Sequence, residues 1–304
     1  MTSPALPEVP GVDVRHGDVR ARDVRFHVAE AGPPDGDPVM LVHGWPQHWW
    51  TWRKLLPGLT AAGHRVVMPD LRGFGWSDAP AGDYDKETLA ADVVALLDAL
   101  ELDRVKLVGH DWGAFAGFLA CLHAPKRIER YVACNIIHPW YRPPKPSPSL
   151  FARSSYQFVL ATPVVGERVL RRSPAFIRTV LTRGAHPEFR WADGEREVFA
   201  DRFREPGHAR ATSALYRTFL RRELRELARG QYDGRRLTVP TLLVTGSHDP
   251  VITPEIFASA SAHADHLTTA VLEGCGHFST EEAPDALLER ILGHFAAGDE
   301  ERRG

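Results

Sequence analysis

Cysteine is scarce in this chain: Cys121, Cys134 and Cys275 are the three in 304 residues. An odd number at such wide spacing fits neither a disulfide framework nor a metal site. It suits a reducing compartment, so the cytoplasm is the expected location. Long apolar runs are missing as well. No segment approaches the roughly 18 apolar residues of a membrane span, and the amino terminus, MTSPALPEVPGVDVRHGDVR, lacks the apolar centre of a signal peptide. Nor is there an excess of one charge. Lys and Arg number 37 against 39 Asp and Glu, a formal net charge of −2, which argues against nucleic acid or a membrane as partner. No internal repeat, phosphate-binding glycine loop or cluster of metal ligands is visible, so no metal and no cofactor are expected. Composition specifies no oligomeric state. What is present is apolar residue in quantity: 43% of the chain is hydrophobic, enough for a core that needs no staples.

Short apolar runs alternate with helical spacing in two separate regions. PVMLVHG from Pro38, HRVVMPD from His64, RVKLVGH from Arg104 and IERYVACNI from Ile128 read as strands. Between them, Trp49 to Ala62, Lys86 to Leu102 and Gly113 to His123 carry helical spacing, the second with Leu89, Val93, Leu96, Leu97 and Leu100 on one face. The alternation predicts a mostly parallel twisted sheet covered by helices on both faces. VDVRHG and ARDVRFHVAEAG predict an antiparallel hairpin at its edge. At His138 the rhythm stops. HPWYRPPKPSPS is too rich in proline for a helix or central strand and reads as a connector. From Ser149 to about Arg229 only helical spacing follows. The α/β pattern then returns with TLLVTG, a helix from Pro254, LTTAVLEG and a last helix from Glu281 to Ala297. Residues 1–138 and 231–304 are therefore expected to form one α/β domain, interrupted by an all-helical insert over 139–230. The arginines of that insert, as in GEREVFADRFRE and RRELREL, stand three or four residues from acids, which predicts ion-paired solvated helix faces.

The sharpest chemical signal is VGHDWGA, Val108 to Ala114, between a predicted strand and a predicted helix. Glycines two positions either side of Asp111 make the small-x-nucleophile-x-small pattern of a nucleophile elbow, with aspartate where serine is usual. Alone, the segment also fits, less well, a plain turn with Asp111 capping the helix. Two further residues favour the elbow. Asp249 in SHDPVITP and His277 in CGHFSTEE each follow a predicted strand, where ligand and catalytic groups of parallel sheets gather. Asp111, Asp249 and His277 also run in the order nucleophile, acid, histidine. HGWPQ, His43 to Gln47, follows the first parallel strand; the backbone N–H groups of Trp45 and Trp112 are candidates for an oxyanion hole. DLRGFGWSD from Asp70 reads as a structural loop.

These motifs resemble the α/β-hydrolase superfamily and, within it, the epoxide hydrolases, over nearly the whole chain. HGWP is similar to their HGxP motif, in which the bond before proline is often cis. GHDWG resembles their aspartate elbow and RGFGWSD their RGxGxS loop. The helical insert resembles their cap, whose two tyrosines donate hydrogen bonds to the epoxide oxygen; Tyr156 in YQFVLATP and Tyr216 in LYRTF occupy similar settings. The resemblance implies an α/β-hydrolase fold with a helical cap or lid, and hydrolysis of a small apolar epoxide to a diol.

The chemistry agrees. A carboxylate is already ionised at neutral pH, and its attack on saturated carbon gives an ordinary ester, whereas attack on a carbonyl gives a reactive anhydride. An epoxide leaves as an alkoxide, far more basic than a phenol of pKa about 10, so a phenolic donor helps. Tyr216 lies on an apolar helical line with Leu220, Leu224 and Leu227, which predicts that it points inward. Trp45, Trp112, Phe115 and Trp140 are the expected aromatic substrate-binding residues. The alternatives are a haloalkane dehalogenase working through the same aspartate and, more remotely, a non-catalytic carrier of a hydrophobic ligand.

Overall fold

The computed structural model describes residues 5–82, 84–144 and 148–303. Eight strands form one sheet: β1 (Val14–Ala21), β2 (Val24–Ala31), β3 (Asp37–Val42), β4 (His64–Pro69), β5 (Val105–His110), β6 (Ile128–Cys134), β7 (Thr241–Gly246) and β8 (Leu267–Leu272). Their spatial order is β1-β2-β4-β3-β5-β6-β7-β8. The β1–β2 and β2–β4 pairs are antiparallel and the rest parallel. β5 is buried along its whole length and β6 nearly so, as expected where helices cover both faces of a parallel sheet; both are mainly apolar but carry Lys106 and, in β6, Glu129 and Arg130. β8, at the far edge, is mostly accessible.

The helices of the α/β part are α1 (Leu56–Ala61), α2 (Lys86–Ala99), α3 (Trp112–His123) and, after the insert, α10 (Ser279–Glu282) and α11 (Pro284–Arg303). Three predicted helices differ in form. Trp49 to Ala62 is a 3₁₀ turn over Trp49–Trp52 and then α1, because Pro57 brings no N–H to continue an earlier turn and suits only a helix start. The helix from Pro254 is a 3₁₀ run to His263. The last helix breaks at Ala283 (φ −138°) between α10 and α11, since Pro284 disfavours helical geometry in the residue before it.

Between β6 and β7 lie α4 (Pro148–Ala161), α5 (Val165–Arg172), α6 (Pro174–Gly184), α7 (Glu195–Arg202), α8 (Pro206–Thr218), a π-helical turn over Phe219–Glu223, and α9 (Leu224–Ala228). Part of the proline-rich connector, residues 145–147, lies outside the described residues. Among the described residues the insert forms one ion pair at the expected local spacing, Arg204 just past α7 with Asp201 at 3.0 Å. Other charges of the insert reach across elements: Glu195 to Arg53, Arg222 to Asp85 at 2.6 Å, and Glu223 to Lys86 at 2.7 Å. The last two tie the end of the insert to the first turn of α2. No helix among the described residues is long and apolar enough to cross a membrane.

Candidate active site

β5 ends in the sharp turn the glycines predict. Asp111 sits at φ 50°, ψ −130°, a conformation that costs a non-glycine residue about 1–3 kcal/mol and persists only where the surroundings enforce it. They do so by close approach. A Cβ on Gly113 would lie 2.2 Å from the His43 carbonyl oxygen, and one on Gly109 2.5 Å from the Ala114 Cα. The bend carries the Asp111 side chain clear of α3, and no capping hydrogen bond to the helix forms. Asp111 thus stands at the N-cap position of α3, but its carboxylate does not cap the helix. Asp111 Oδ1 instead accepts the Trp45 backbone N–H at 2.8 Å, and Oδ2 faces His277 Nε2 at 3.6 Å.

Trp45 is held by its own loop, with a cis peptide bond to Pro46 and a turn closed by Gln47 N–H on the Gly44 carbonyl. Below it, buried Asp70 accepts the N–H groups of Trp49 and Trp76 and a hydrogen bond from His27. Burial disfavours its charge, but the His27 hydrogen bond and the electrostatics of His27, His48 and His43 together outweigh this and keep the carboxyl well below the usual range. One carboxylate thus joins β2, the 3₁₀ turn that follows HGWPQ, and the RGFGWSD loop.

His277 follows β8. Its Nδ1 donates to Asp249 Oδ2 at 2.8 Å. Asp249, past the end of β7, is buried and also accepts from the N–H groups of Val251 and Ile252 and from Asn135 Nδ2. Burial alone would lower the His277 pKa; the charges of Asp249 and Asp111 overcome it and raise the imidazole to about 10. At neutral pH the ring is an imidazolium between two carboxylates. His110, beneath it, accepts no such charge: burial lowers its pKa to about 4.

Above Asp111 lies a cavity of about 1070 Å³, bounded below by Trp45, Asp111, Trp112 and His277 and above by residues of the insert. Tyr156 and Tyr216 both line it. Tyr156 stacks on Trp45 (ring centroids 5.7 Å, planes 8° apart), and Tyr216 stands edge-on between Trp45 (5.2 Å) and Trp112 (6.0 Å). The two phenol rings are 6.0 Å apart. Burial raises Tyr156 to about 12 and Tyr216 further, with the Asp111 charge adding to both. Both phenols are therefore protonated at neutral pH.

Two expected substrate-binding residues are not brought here. Phe115, one turn beyond Trp112 on α3, lines a separate small pocket with Lys86 and Glu223. Trp140 is packed flat on His263 (5.0 Å, 6°), its indole N–H bonded to the Tyr232 carbonyl. Conversely, Asn135 had not been singled out. It stands at φ 52° just past β6 and holds both Asp249 and the Gly276 carbonyl. The strand-end rule that located Asp249 and His277 applies to it equally. Gln157, Ile136, Ile137 and Phe278 also line the cavity. Among the described residues no group of three His, Cys, Asp or Glu could hold a metal ion.

Comparisons with known proteins identify the family. A family profile described as the alpha/beta hydrolase fold matches residues 37–284. The chain is 29% identical over 291 residues to "Soluble epoxide hydrolase" of a Corynebacterium species, covering 93% of this chain and 98% of that one. It is 30% identical to "Epoxide hydrolase A" of Mycobacterium tuberculosis, over 90% of this chain and 96% of that protein. The solved structure of epoxide hydrolase CorEH superimposes with a TM-score of 0.83 at 27% identity, over 94% of this chain and 99% of that one. The chain belongs to the α/β-hydrolase fold family, within its group of epoxide hydrolases.

Proposed function

We propose that this chain hydrolyses an apolar epoxide to a vicinal diol through a covalent ester on Asp111, beneath a cap formed by the insert over 139–230. The observation that carries the reading is the division of labour on Asp111. One oxygen sits on the Trp45 N–H, and the other faces His277 and the cavity beneath two protonated phenols.

In the first step Asp111 Oδ2 attacks a ring carbon, the carbon–oxygen bond of the ring breaks, and the oxygen takes a proton from Tyr156 or Tyr216. A hydroxyalkyl ester and a phenolate result. Esterification removes one of the two charges that keep His277 protonated. The imidazolium proton then neutralises the phenolate by way of cavity water, and His277 becomes a base only after the ester exists. In the second step neutral His277, held through Nδ1–H by Asp249, takes a proton from water. The hydroxide adds to the Asp111 carbonyl carbon, and Trp45 N–H, with Trp112 N–H as the second donor, stabilises the oxyanion at Oδ1. Collapse expels the diol oxygen, which takes the proton of the added hydroxyl, and so returns the Asp111 carboxylate and the His277 imidazolium.

Turnover in oxygen-18 water tests the route: label must enter an Asp111-containing peptide, and an unlabelled carboxylate overturns it. One observation favours a second reading. The indole N–H groups of Trp45 and Trp112 are buried without a hydrogen-bond partner, and both rings line the cavity, so a departing halide would find two donors. Chloride release measured beside diol formation separates dehalogenation from epoxide opening.

A further inference from the structure

Among the described residues six large apolar side chains are well exposed, and four of them, Phe158, Val159, Val164 and Val165, fall at the junction of α4 and α5. Val164 is a β-branched residue at φ 67°, a strained conformation for its type. The two pairs are neighbours in space, because α5 starts hard against the last turns of α4: a Cβ on Gly166 would lie 2.2 Å from the Leu160 carbonyl oxygen. Along α5, Val165, Arg168 and Arg172 share one face, with Val164 and Arg171 on its flank, while Gly166 and Leu170 point inward. The three arginines are exposed, and among the described residues none of them makes an ion pair. Phe158 belongs both to this patch, 48% exposed, and to the wall of the large cavity. Phe158 therefore stands between the patch and the cavity.

We propose that this edge of the cap docks on an anionic lipid surface, with Phe158, Val159, Val164 and Val165 in the acyl boundary and Arg168, Arg171 and Arg172 on the headgroups. Apolar side chains bordered by basic ones on a short amphipathic helix are what interfacial binding requires. A second copy of the chain is a poor occupant, since pairing this face with itself sets arginine against arginine. The net charge of −2 averages over the arrangement: without these arginines the molecule is still more negative, so an anionic surface repels the rest and orients the cap edge toward it. Delivery of a lipophilic epoxide from the bilayer past Phe158 into the cavity rests on the function proposed above; docking itself does not.

Sedimentation of the full chain with vesicles of phosphatidylcholine, with and without phosphatidylserine, is the test. The wild type is expected to bind the phosphatidylserine vesicles and to be released by salt. Each basic residue near such a surface is worth roughly fivefold in partitioning, so Arg168→Gln/Arg171→Gln/Arg172→Gln should lose on the order of a hundredfold. Val165→Asp should weaken binding as well. Both variants should keep wild-type turnover of a water-soluble epoxide and lose turnover of one carried in vesicles. Absence of wild-type binding, equal binding to neutral vesicles, or self-association in ultracentrifugation abolished by the same variants would each overturn the proposal. Sedimentation needs no turnover, so it succeeds or fails independently of diol formation.

Discussion

Replacing Asp249 by Asn separates the two halves of the proposed reaction. In the wild type Asp249 Oδ2 accepts His277 Nδ1–H at 2.8 Å and Asn135 Nδ2–H at 3.0 Å, while Oδ1 accepts two backbone N–H groups at 2.8 and 2.9 Å. An amide keeps the shape, and its oxygen keeps the Oδ1 contacts. Its nitrogen then faces two donors where the carboxylate offered an acceptor. The imidazole can meet that nitrogen only with a bare Nδ1, which leaves the proton on Nε2, pointing at Asp111. Such a ring cannot take a proton from water. A displaced tautomer in a histidine–carboxylate pair costs on the order of 10⁴-fold, or about 5 kcal/mol of barrier, and here the cost falls on ester hydrolysis. Alkylation of Asp111 uses the phenols and should stay within about tenfold. Mixed with epoxide, Asp249→Asn should burst once and stop, and intact-mass spectrometry should find one substrate equivalent on the protein. Wild-type kcat, or lost turnover with no adduct under saturating epoxide, would refute this reasoning. Asn135→Asp in the same background restores a carboxylate beside His277 and should recover part of the hydrolytic rate.

Other expectations follow from the same geometry. Tyr156→Phe or Tyr216→Phe should slow alkylation by roughly 10²-fold, within the range of general acid catalysis, and the double variant should approach background; stopped-flow tryptophan fluorescence reads the step. Because the folded enzyme holds the His277 proton until about pH 10, kcat/KM should stay level through neutral pH and fall only toward that value; an alkaline limb near 6.5 argues against an imidazolium. In Asp111→Asn one of the charges raising His277 is gone, so its NMR titration should move to lower pH. Lys86→Met leaves Glu223 buried without its ion pair at 2.7 Å, a loss of about 3–5 kcal/mol that denaturant unfolding would measure. Adding Glu223→Leu should return much of it.

The elements legible in the sequence were those fixed by local rules. β5 and β6 are buried nearly throughout, and the apolar residues that dominate them, Val105, Leu107 and Val108 in β5 and Ile128, Tyr131, Val132 and Ala133 in β6, needed no context. Asp111, Asp249 and His277 follow from position alone, each just past a strand. The rest depends on which way a side chain faces, and that is set by distant parts of the chain. Phe115 is three residues from Trp112, yet α3 turns it toward Lys86 and Glu223 rather than into the cavity. Trp140 looked available in a proline-rich segment and is instead stacked on His263, far along the chain. The insert's acids suggested local pairs, but Glu195 and Glu223 serve cations of the α/β part. Tyr156 and Tyr216 were found through a resemblance; spacing would have shown only that Tyr216 points inward.

On the proposed mechanism, aspartate in place of serine at the elbow changes what the oxyanion hole is for. A serine nucleophile brings no carbonyl, so the substrate must supply the one that enters the hole. Here the acceptor already on the Trp45 N–H is the enzyme's own Asp111 Oδ1, at 2.8 Å before any substrate arrives. On the proposed mechanism the same oxygen is the ester carbonyl after alkylation and the oxyanion during hydrolysis, so one donor serves three states with little movement. The substrate is released from carrying a carbonyl and must instead offer saturated carbon with a leaving group that the cap can protonate. That requirement accounts for two buried phenols above Asp111, which a serine hydrolase would not need. It also makes Tyr156→Phe/Tyr216→Phe a discriminating experiment: if the double variant still opens epoxides at the wild-type rate, the leaving group departs without the cap's protons, and the reading in favour of an epoxide loses its chemical basis.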